Sequence, residues 1–304
     1  MAYTHSHDHG HRHGRPDYNR AFAIGVTLNV IYIGVEATYG IVAGSLALLA
    51  DAGHNLSDVL GLLLAWGANF LVQRKPTKRH TYGWRKSSIL AALSNAIILL
   101  VAMGGIAWEA VGRLNQPSAV AGKTIIIVAA VGVVINTATA LLFLSGRKKD
   151  LNIRGAFLHM AADAGVSAGV VLAGIIILST GWLWLDPVVS LIITAIILFG
   201  TWGLLWDSFN LALDAVPAAI DPEAVYAYLS NLPGVAGVHD LHIWAMSTSE
   251  TALTVHLLKP DASNDDAIID QASRELHEKF GIEHVTIQWE RRSYPDHCGS
   301  ACEL

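Results

Sequence analysis

The first 208 residues consist mainly of long apolar blocks separated by short polar segments. A helix needs about 20 apolar residues to cross the hydrocarbon core of a bilayer, and each block reaches that length. The pattern therefore predicts six transmembrane helices. They are expected at residues 20–42, 46–72, 86–112, 120–145, 153–180 and 183–208.

A different pattern begins at residue 209. Two short segments with helical periodicity and three with strand-like alternation follow one another in the order helix, strand, strand, helix, strand. This order predicts a small soluble α+β domain. The chain is thus divided into a His-rich arm without a core of its own, a six-helix membrane domain, an α+β domain and a short tail, at residues 1–18, 19–208, 209–293 and 294–304.

Composition and charge agree with a membrane protein. The chain is 53% hydrophobic and 15% charged, with a mean hydropathy of +0.43, whereas soluble domains carry about 25% charged residues. A formal net charge of -5 gives no reason to expect a nucleic-acid partner. Arg and Lys concentrate in the arm and after the second and fourth blocks, which predicts that both termini are cytoplasmic.

Polar side chains recur at one spacing inside two of the apolar blocks. His54 and Asp58 are four residues apart in the second block, and His159 and Asp163 repeat this spacing in the fifth. Residues i and i+4 of a helix lie on the same face, so two facing helices would present two imidazoles and two carboxylates to one point. That ligand set suits four-coordinate Zn2+.

The alternative interpretation is that these groups only hold helices together, as single His and Asp residues in membrane helices often do. The same pair in two blocks, and in no other, argues against it. An Asp at the centre of a membrane helix costs about 2.5 to 3.5 kcal/mol on insertion scales and is therefore usually functional. We predict a metal transport site near the bilayer midplane, where transport sites tend to lie.

Two further acidic residues lie in the first two blocks. Asp51 precedes His54 by three residues, so it is expected to orient the imidazole, to carry protons, or to be a polar group near the outer mouth. Glu36 is expected to pair with a cation or to carry a proton. We predict that both support the metal ligands or belong to a proton path.

Both ends of the chain carry metal-binding residue types. Five alternating histidines in the arm cannot pack a core, so they are expected to collect zinc loosely, with a purification tag as the alternative. They are His5, His7, His9, His11 and His13. At the other end, Cys298 and Cys302 form either a weak metal site or a terminus without function.

Together these features resemble the cation diffusion facilitators, and most closely their bacterial zinc/cadmium/cobalt-resistance branch. The resemblance rests on the six spans, the two His-x3-Asp pairs, the His-rich arm and the motifs RHTYGW, GVHDLHIW and HVTIQWE. It implies a homodimer in a bacterial cell membrane that exports Zn2+ from the cytoplasm in exchange for protons. Cd2+, Co2+ and Ni2+ are alternative substrates. The transport ligands would be His54, Asp58, His159 and Asp163.

The resemblance also implies that the α+β domain has a metallochaperone-like (ferredoxin-like) fold, binds further metal and holds the dimer together. The expected ligands are His239, His256, His284 and Glu290, with Glu283 as the alternative to His284. Ordinary surface polarity is the competing interpretation for each of them. Zn2+ would then be both substrate and regulatory ligand, and no organic cofactor is expected.

Two other classes of function stay open. A membrane metalloenzyme would use the two pairs for catalysis, but it needs an open coordination position and a separate general base, and Asp51 is the one candidate. A membrane-anchored metal sensor would bind zinc in the α+β domain, but it leaves the costly intramembrane pairs without a role. We therefore predict a carrier rather than an enzyme.

Overall fold

The computed structural model describes residues 18–116, 118–144, 151–261 and 265–292. Six long helices occupy the places of the six apolar blocks. They are α1 (Tyr18–Ala43), α2 (Leu46–Val72), α3 (Ser87–Asn115), α4 (Gly122–Phe143), α5 (Leu151–Thr180) and α6 (Leu185–Ala212). Within the described residues, α2 to α6 are long and apolar enough to cross a membrane, and α1 adds a shorter apolar stretch at Thr27–Ala43.

The described chain forms two compact units. The first contains the residues up to Leu56 together with Gly105–Thr194, and in it α4 packs against α1 and α5. A Cβ atom built at Gly132 would lie 2.2 Å from the Tyr32 hydroxyl oxygen. Glycine is therefore required at this crossing of α4 and α1, as is common where membrane helices approach closely.

A side chain from the start of α6 holds the start of α2. Asp186 accepts hydrogen bonds from the Ser45 hydroxyl (2.5 Å) and from the backbone N–H of Leu46 (2.8 Å). It thereby satisfies one of the backbone donors that the first turn of a helix leaves without an intrahelical partner. In the same connection Arg113 donates to the Gly44 carbonyl oxygen (2.5 Å). These contacts fix the short link between α1 and α2.

The second unit contains Ser57–Gly104 and the residues from Ala195 onward. Its C-terminal part, here called the tail domain, confirms the predicted order of elements. These are α7 (Pro222–Ser230), β1 (Gly237–Ala245), β2 (Thr251–Leu258), α8 (Asp265–Phe280) and β3 (His284–Glu290). β2 is the central strand, antiparallel to β1 and parallel to β3.

The two helices of the tail domain bury one face of its sheet. Leu229 of α7 and Leu276 of α8 share a core with Leu253, Val255 and Leu257 of β2. Since side chains alternate along a strand, the residues between these three point to the opposite face. That face carries the polar side chains of Thr254 and His256.

The segment 73–86 that joins α2 to α3 is tied to other parts of the second unit. Arg85 pairs with Glu250, in the turn between β1 and β2. Lys86 Nζ lies 2.6 Å from Asp214 Oδ1, just after α6. The segment is therefore held in place by ion pairs at its end nearest α3.

Candidate metal centres

One group of ligand atoms lies where α2 and α5 meet. His54 Nε2 is 3.6 Å from Asp163 Oδ1, and His159 Nε2 is 3.6 Å from Asp163 Oδ2. The two imidazole centroids are 5.9 Å apart, with the rings edge to face. One nitrogen or oxygen atom from each residue lies within 4.8 Å of the others. The structure thus brings together three of the four side chains predicted for the transport site.

The local helix geometry explains this arrangement. His159 and Asp163 are one turn apart on α5 and project from the same face. The Asp163 side chain is 3% exposed, whereas that of His159 is 41% exposed, so a buried carboxylate stands beside an accessible imidazole. Ligand atoms around tetrahedral Zn2+ are about 3.4 Å apart, given Zn–N distances of about 2.0–2.1 Å. Both observed separations are close to that value.

Asp58, the fourth predicted ligand, lies one helical turn beyond His54 on α2. It belongs to the second compact unit, whereas His54 belongs to the first. Its role as a ligand stays a prediction.

Two buried carboxylates lie in the first unit, as does the His54 group. Glu36 and Asp51 are both 0% exposed. Glu36 accepts hydrogen bonds from the Tyr32 hydroxyl (2.7 Å) and from Asn55 Nδ2 (3.3 Å). Asp51 accepts one from the Ser167 hydroxyl of α5 (3.0 Å). Both carboxylates therefore belong to hydrogen-bonded networks rather than to a mouth open to solvent.

A second group of ligand atoms lies on the sheet of the tail domain. His239 of β1 is the cross-strand partner of His256 of β2. Glu290 Oε2 is 3.2 Å from His239 Nε2, and Glu290 Oε1 is 3.1 Å from His256 Nδ1. One ligand atom from each of the three lies within 4.8 Å of the others. Because Val255 and Leu257 point into the core, His256 and this group occupy the opposite face of the sheet.

Asp240 is a neighbour of this group that the sequence analysis did not select. Its φ of 53° is left-handed, and the pairing of β1 with β2 shifts register between His239 and His242. Its Oδ2 atom is 3.6 Å from His256 Nε2, and its Oδ1 atom is 2.9 Å from His242 Nε2. Simple alternation would turn Asp240 away from His239. One indication in the sequence was that the residue directly after His239 is an Asp, a residue type that tolerates a left-handed backbone.

His284 lies outside this group. It opens β3 opposite Ala252, six positions before Glu290, which is about 20 Å along a strand. Its Nε2 atom is 2.8 Å from Arg85 Nη1, and a guanidinium group disfavours a second cation there. Glu283, the alternative, accepts a hydrogen bond from the backbone N–H of Thr251 (2.7 Å). The structure brings neither residue to the ligand group.

The predicted ligands at the two ends of the chain lie outside the described residues. They are His5, His7, His9, His11, His13, Cys298 and Cys302.

Two family models match the chain. The one described as "Cation efflux transmembrane domain" matches residues 22–211, and the one described as "Cation efflux protein, cytoplasmic domain" matches residues 217–292. Together they cover the six long helices and the tail domain.

Three curated relatives illustrate the similarity. The zinc transporter ZitB of Escherichia coli (strain K12) is 38% identical over 100% of this chain and 96% of its own length. The cation efflux system protein CzcD of Alcaligenes sp. (strain CT14) is 36% identical over 92% of this chain and 90% of its own. The cadmium, cobalt and zinc/H(+)-K(+) antiporter of Bacillus subtilis (strain 168) is 34% identical over 94% of this chain and 93% of its own.

One solved structure is also similar to part of this chain. It is the metal-bound C-terminal domain of the CzcD transporter from Cuprividus metallidurans, at 39% identity over 23% of this chain and 99% of that chain, with a TM-score of 0.22.

Proposed function

Because this chain belongs to the cation efflux family, we propose that it is a proton-coupled exporter of Zn2+. Cation transport is the activity that the relatives' names share; one of them names efflux, and the metals they name are zinc, cadmium and cobalt. The chain is a transporter and not an enzyme, so the metalloenzyme alternative falls away. Zn2+ is proposed as the principal substrate because two imidazoles with carboxylates suit its tetrahedral coordination.

The observation that carries the proposal is the convergence of His54, His159 and Asp163 on one point. Asp58 is the proposed fourth ligand, one turn from His54. Ionisable groups in membrane helices are costly and usually functional. Three of them within ligand distance, from two helices of an efflux protein, are best explained by binding the transported ion.

Competition between protons and metal provides the coupling. A metal ligand must be deprotonated, so metal binding releases protons and protonation expels metal. Imidazole, with an ordinary pKa near 6.5, makes this competition effective around neutral pH. In the proposed cycle Zn2+ from the cytoplasm displaces protons from His54 and His159, and external protons displace Zn2+ after the site opens outward. Glu36 and Asp51 supply further buried groups that hold protons.

The proposed transporter is a homodimer whose termini both lie in the cytoplasm. Both termini face the cytoplasm of a bacterial cell, since the cationic residues concentrate in the arm and in the segments after α2 and α4. The tail domain lies on that side and joins two chains into a homodimer. Zn2+ bound by the tail domain would act as a regulatory ligand that favours one state of the transporter.

Zinc flux into proteoliposomes with an acidic lumen tests transport directly. We expect flux that a proton ionophore abolishes. Asp58→Ala should lower it by more than about 100-fold, beyond the 10- to 100-fold typical of residues that only support a metal ligand. Removal of residues 1–14 should leave most of the flux. A purified protein that binds zinc in the tail domain but carries none, with or without a pH gradient, would instead be a sensor.

Metal binding by the tail domain is tested by the pair His256→Ala and His277→Ala in the full-length protein. His256 lies in the ligand group on the sheet, whereas His277 is exposed on α8. We expect His256→Ala to bind one Zn2+ fewer per chain in equilibrium dialysis, because loss of one of three ligands leaves an incomplete site. His277→Ala should match the original protein. Equal zinc content in all three proteins would exclude the proposed site.

A further inference from the structure

A cavity of about 530 Å3 lies between the segment 73–86 and the end of β1. Its walls are formed on one side by Arg79, Tyr82 and Trp84, and on the other by Trp244 and Met246. All of these residues belong to the second compact unit. The cavity therefore lies entirely within the second unit.

The lining of the cavity is cationic and apolar at once. Among the lining residues that the structure describes, none carries a carboxylate. Arg85 and Lys86 are already paired with Glu250 and Asp214. Arg79 is exposed and, within the described residues, forms no ion pair. The cavity thus offers one uncompensated guanidinium group to an anion, and a metal cation is disfavoured.

The apolar part of the lining narrows the class of anion. Leu71, at the end of α2, and Leu90, in the first turn of α3, both line the cavity. Both helices are long and apolar enough to cross a membrane. A small soluble anion would gain nothing from these apolar side chains. An amphiphile would contact them with its apolar part and Arg79 with its anionic part.

The segment 73–86 also contains the residue types that are typical of protein segments at a membrane surface. It connects two membrane-spanning helices. Tyr82 and Trp84 are 60% and 42% exposed, and such aromatic side chains are enriched at the level of lipid headgroups. Clusters of Lys and Arg next to membrane helices attract anionic lipids. The further cations here are Arg74, Lys75 and Lys78, all exposed.

We propose that this cavity binds the headgroup of an anionic phospholipid. The guanidinium group of Arg79 binds the phosphate, to which its planar donors are well matched. Tyr82 and Trp84 lie at the level of the glycerol, and the acyl chains run along Leu71 and Leu90. Because Trp244 and Met246 close the other side, an occupied cavity stabilises the contact between the segment 73–86 and the tail domain.

Native mass spectrometry of the full-length protein, in a neutral detergent, tests this site with phosphatidylglycerol and phosphatidylcholine of identical acyl chains. We expect tighter binding of phosphatidylglycerol and a higher unfolding temperature in its presence. Arg79→Gln should weaken this binding about fivefold, since that is the contribution of one basic residue near an anionic surface. Lys123→Gln is the matched control, because Lys123 is an exposed cation at the start of α4.

Three results would overturn the proposal. Equal binding of the two lipids would show that headgroup charge is not recognised. Equal losses in the two variants would show a general charge effect. Protection from unfolding by glycerol 3-phosphate alone, at the same concentration as the lipid, would assign the cavity to a soluble phosphate. An unchanged number of bound Zn2+ ions in Arg79→Gln shows that the variant is folded.

Discussion

Replacing Asp163 with Ala should abolish zinc transport. Asp163 is the one residue of the group at α2 and α5 that lies near both imidazoles, at 3.6 Å from His54 and from His159. Its removal takes away one of the two proposed carboxylate ligands, the one that lies near both imidazoles, and leaves Asp58 as the one proposed ligand with a negative charge. We expect the zinc affinity of the transport site to fall by more than about 100-fold, because even residues that only orient a ligand change affinity by 10- to 100-fold.

The measurement is zinc flux in proteoliposomes together with titration calorimetry of the purified protein. Asp163→Asn should behave like the Ala variant, since an amide has a similar shape but no charge. Asp207→Ala is the matched control, because Asp207 is an exposed carboxylate on α6. Transport by Asp163→Asn at the original rate would exclude Asp163 as a ligand of the transported ion.

Replacing Glu36 with Gln should weaken the coupling of zinc movement to the pH gradient while leaving zinc binding in place. Glu36 is 0% exposed, and it is bonded to Tyr32 and Asn55. Gln retains the size of the side chain but binds no proton in the physiological range. The flux driven by a pH gradient should fall part of the way to the rate seen without a gradient, because His54 and His159 still exchange protons, whereas zinc affinity changes little.

The thermal stability of Glu36→Gln is the control that separates a loss of coupling from a loss of folding. The amide of Gln cannot accept from both neighbours with the same geometry, so one hydrogen bond is lost at a cost of about 1–3 kcal/mol. The unfolding temperature in detergent shows whether the variant stays folded under the assay conditions. Glu109→Gln, an exposed change on α3, is the matched control. An unchanged response to the pH gradient in Glu36→Gln would remove this residue from the proton path.

Helix geometry made part of this arrangement predictable. Residues four apart must share a helix face, so His159 and Asp163 could be assigned to one site without a structure. The helices and strands of the tail domain could likewise be predicted from helical periodicity and from strand-like alternation of apolar and polar residues. Periodicity identified the elements and faces on which ligands lie, because it depends on the local backbone alone.

Other contacts could not be predicted because they depend on register between distant segments. Asp240 lies near the ligand group on the sheet of the tail domain only because the pairing of β1 with β2 shifts register. His284 is separated from that group by the parallel pairing of β3 with β2, which no local pattern encodes. The bond from Ser45 to Asp186 joins residues 141 positions apart. Such pairings are decided by the packing of whole elements.

The bonds from Asp186 anchor the beginning of α2, so any tilt of this helix would pivot about that end. A tilt of about 10° around it displaces His54 by about 2 Å and Val72 by about 7 Å, since a helix rises 1.5 Å per residue. Such a tilt would move His54, a proposed metal ligand, away from His159 and Asp163 while the anchored end of the helix stays in place. In such a tilt the buried Asp186 carboxylate would determine which end of α2 moves.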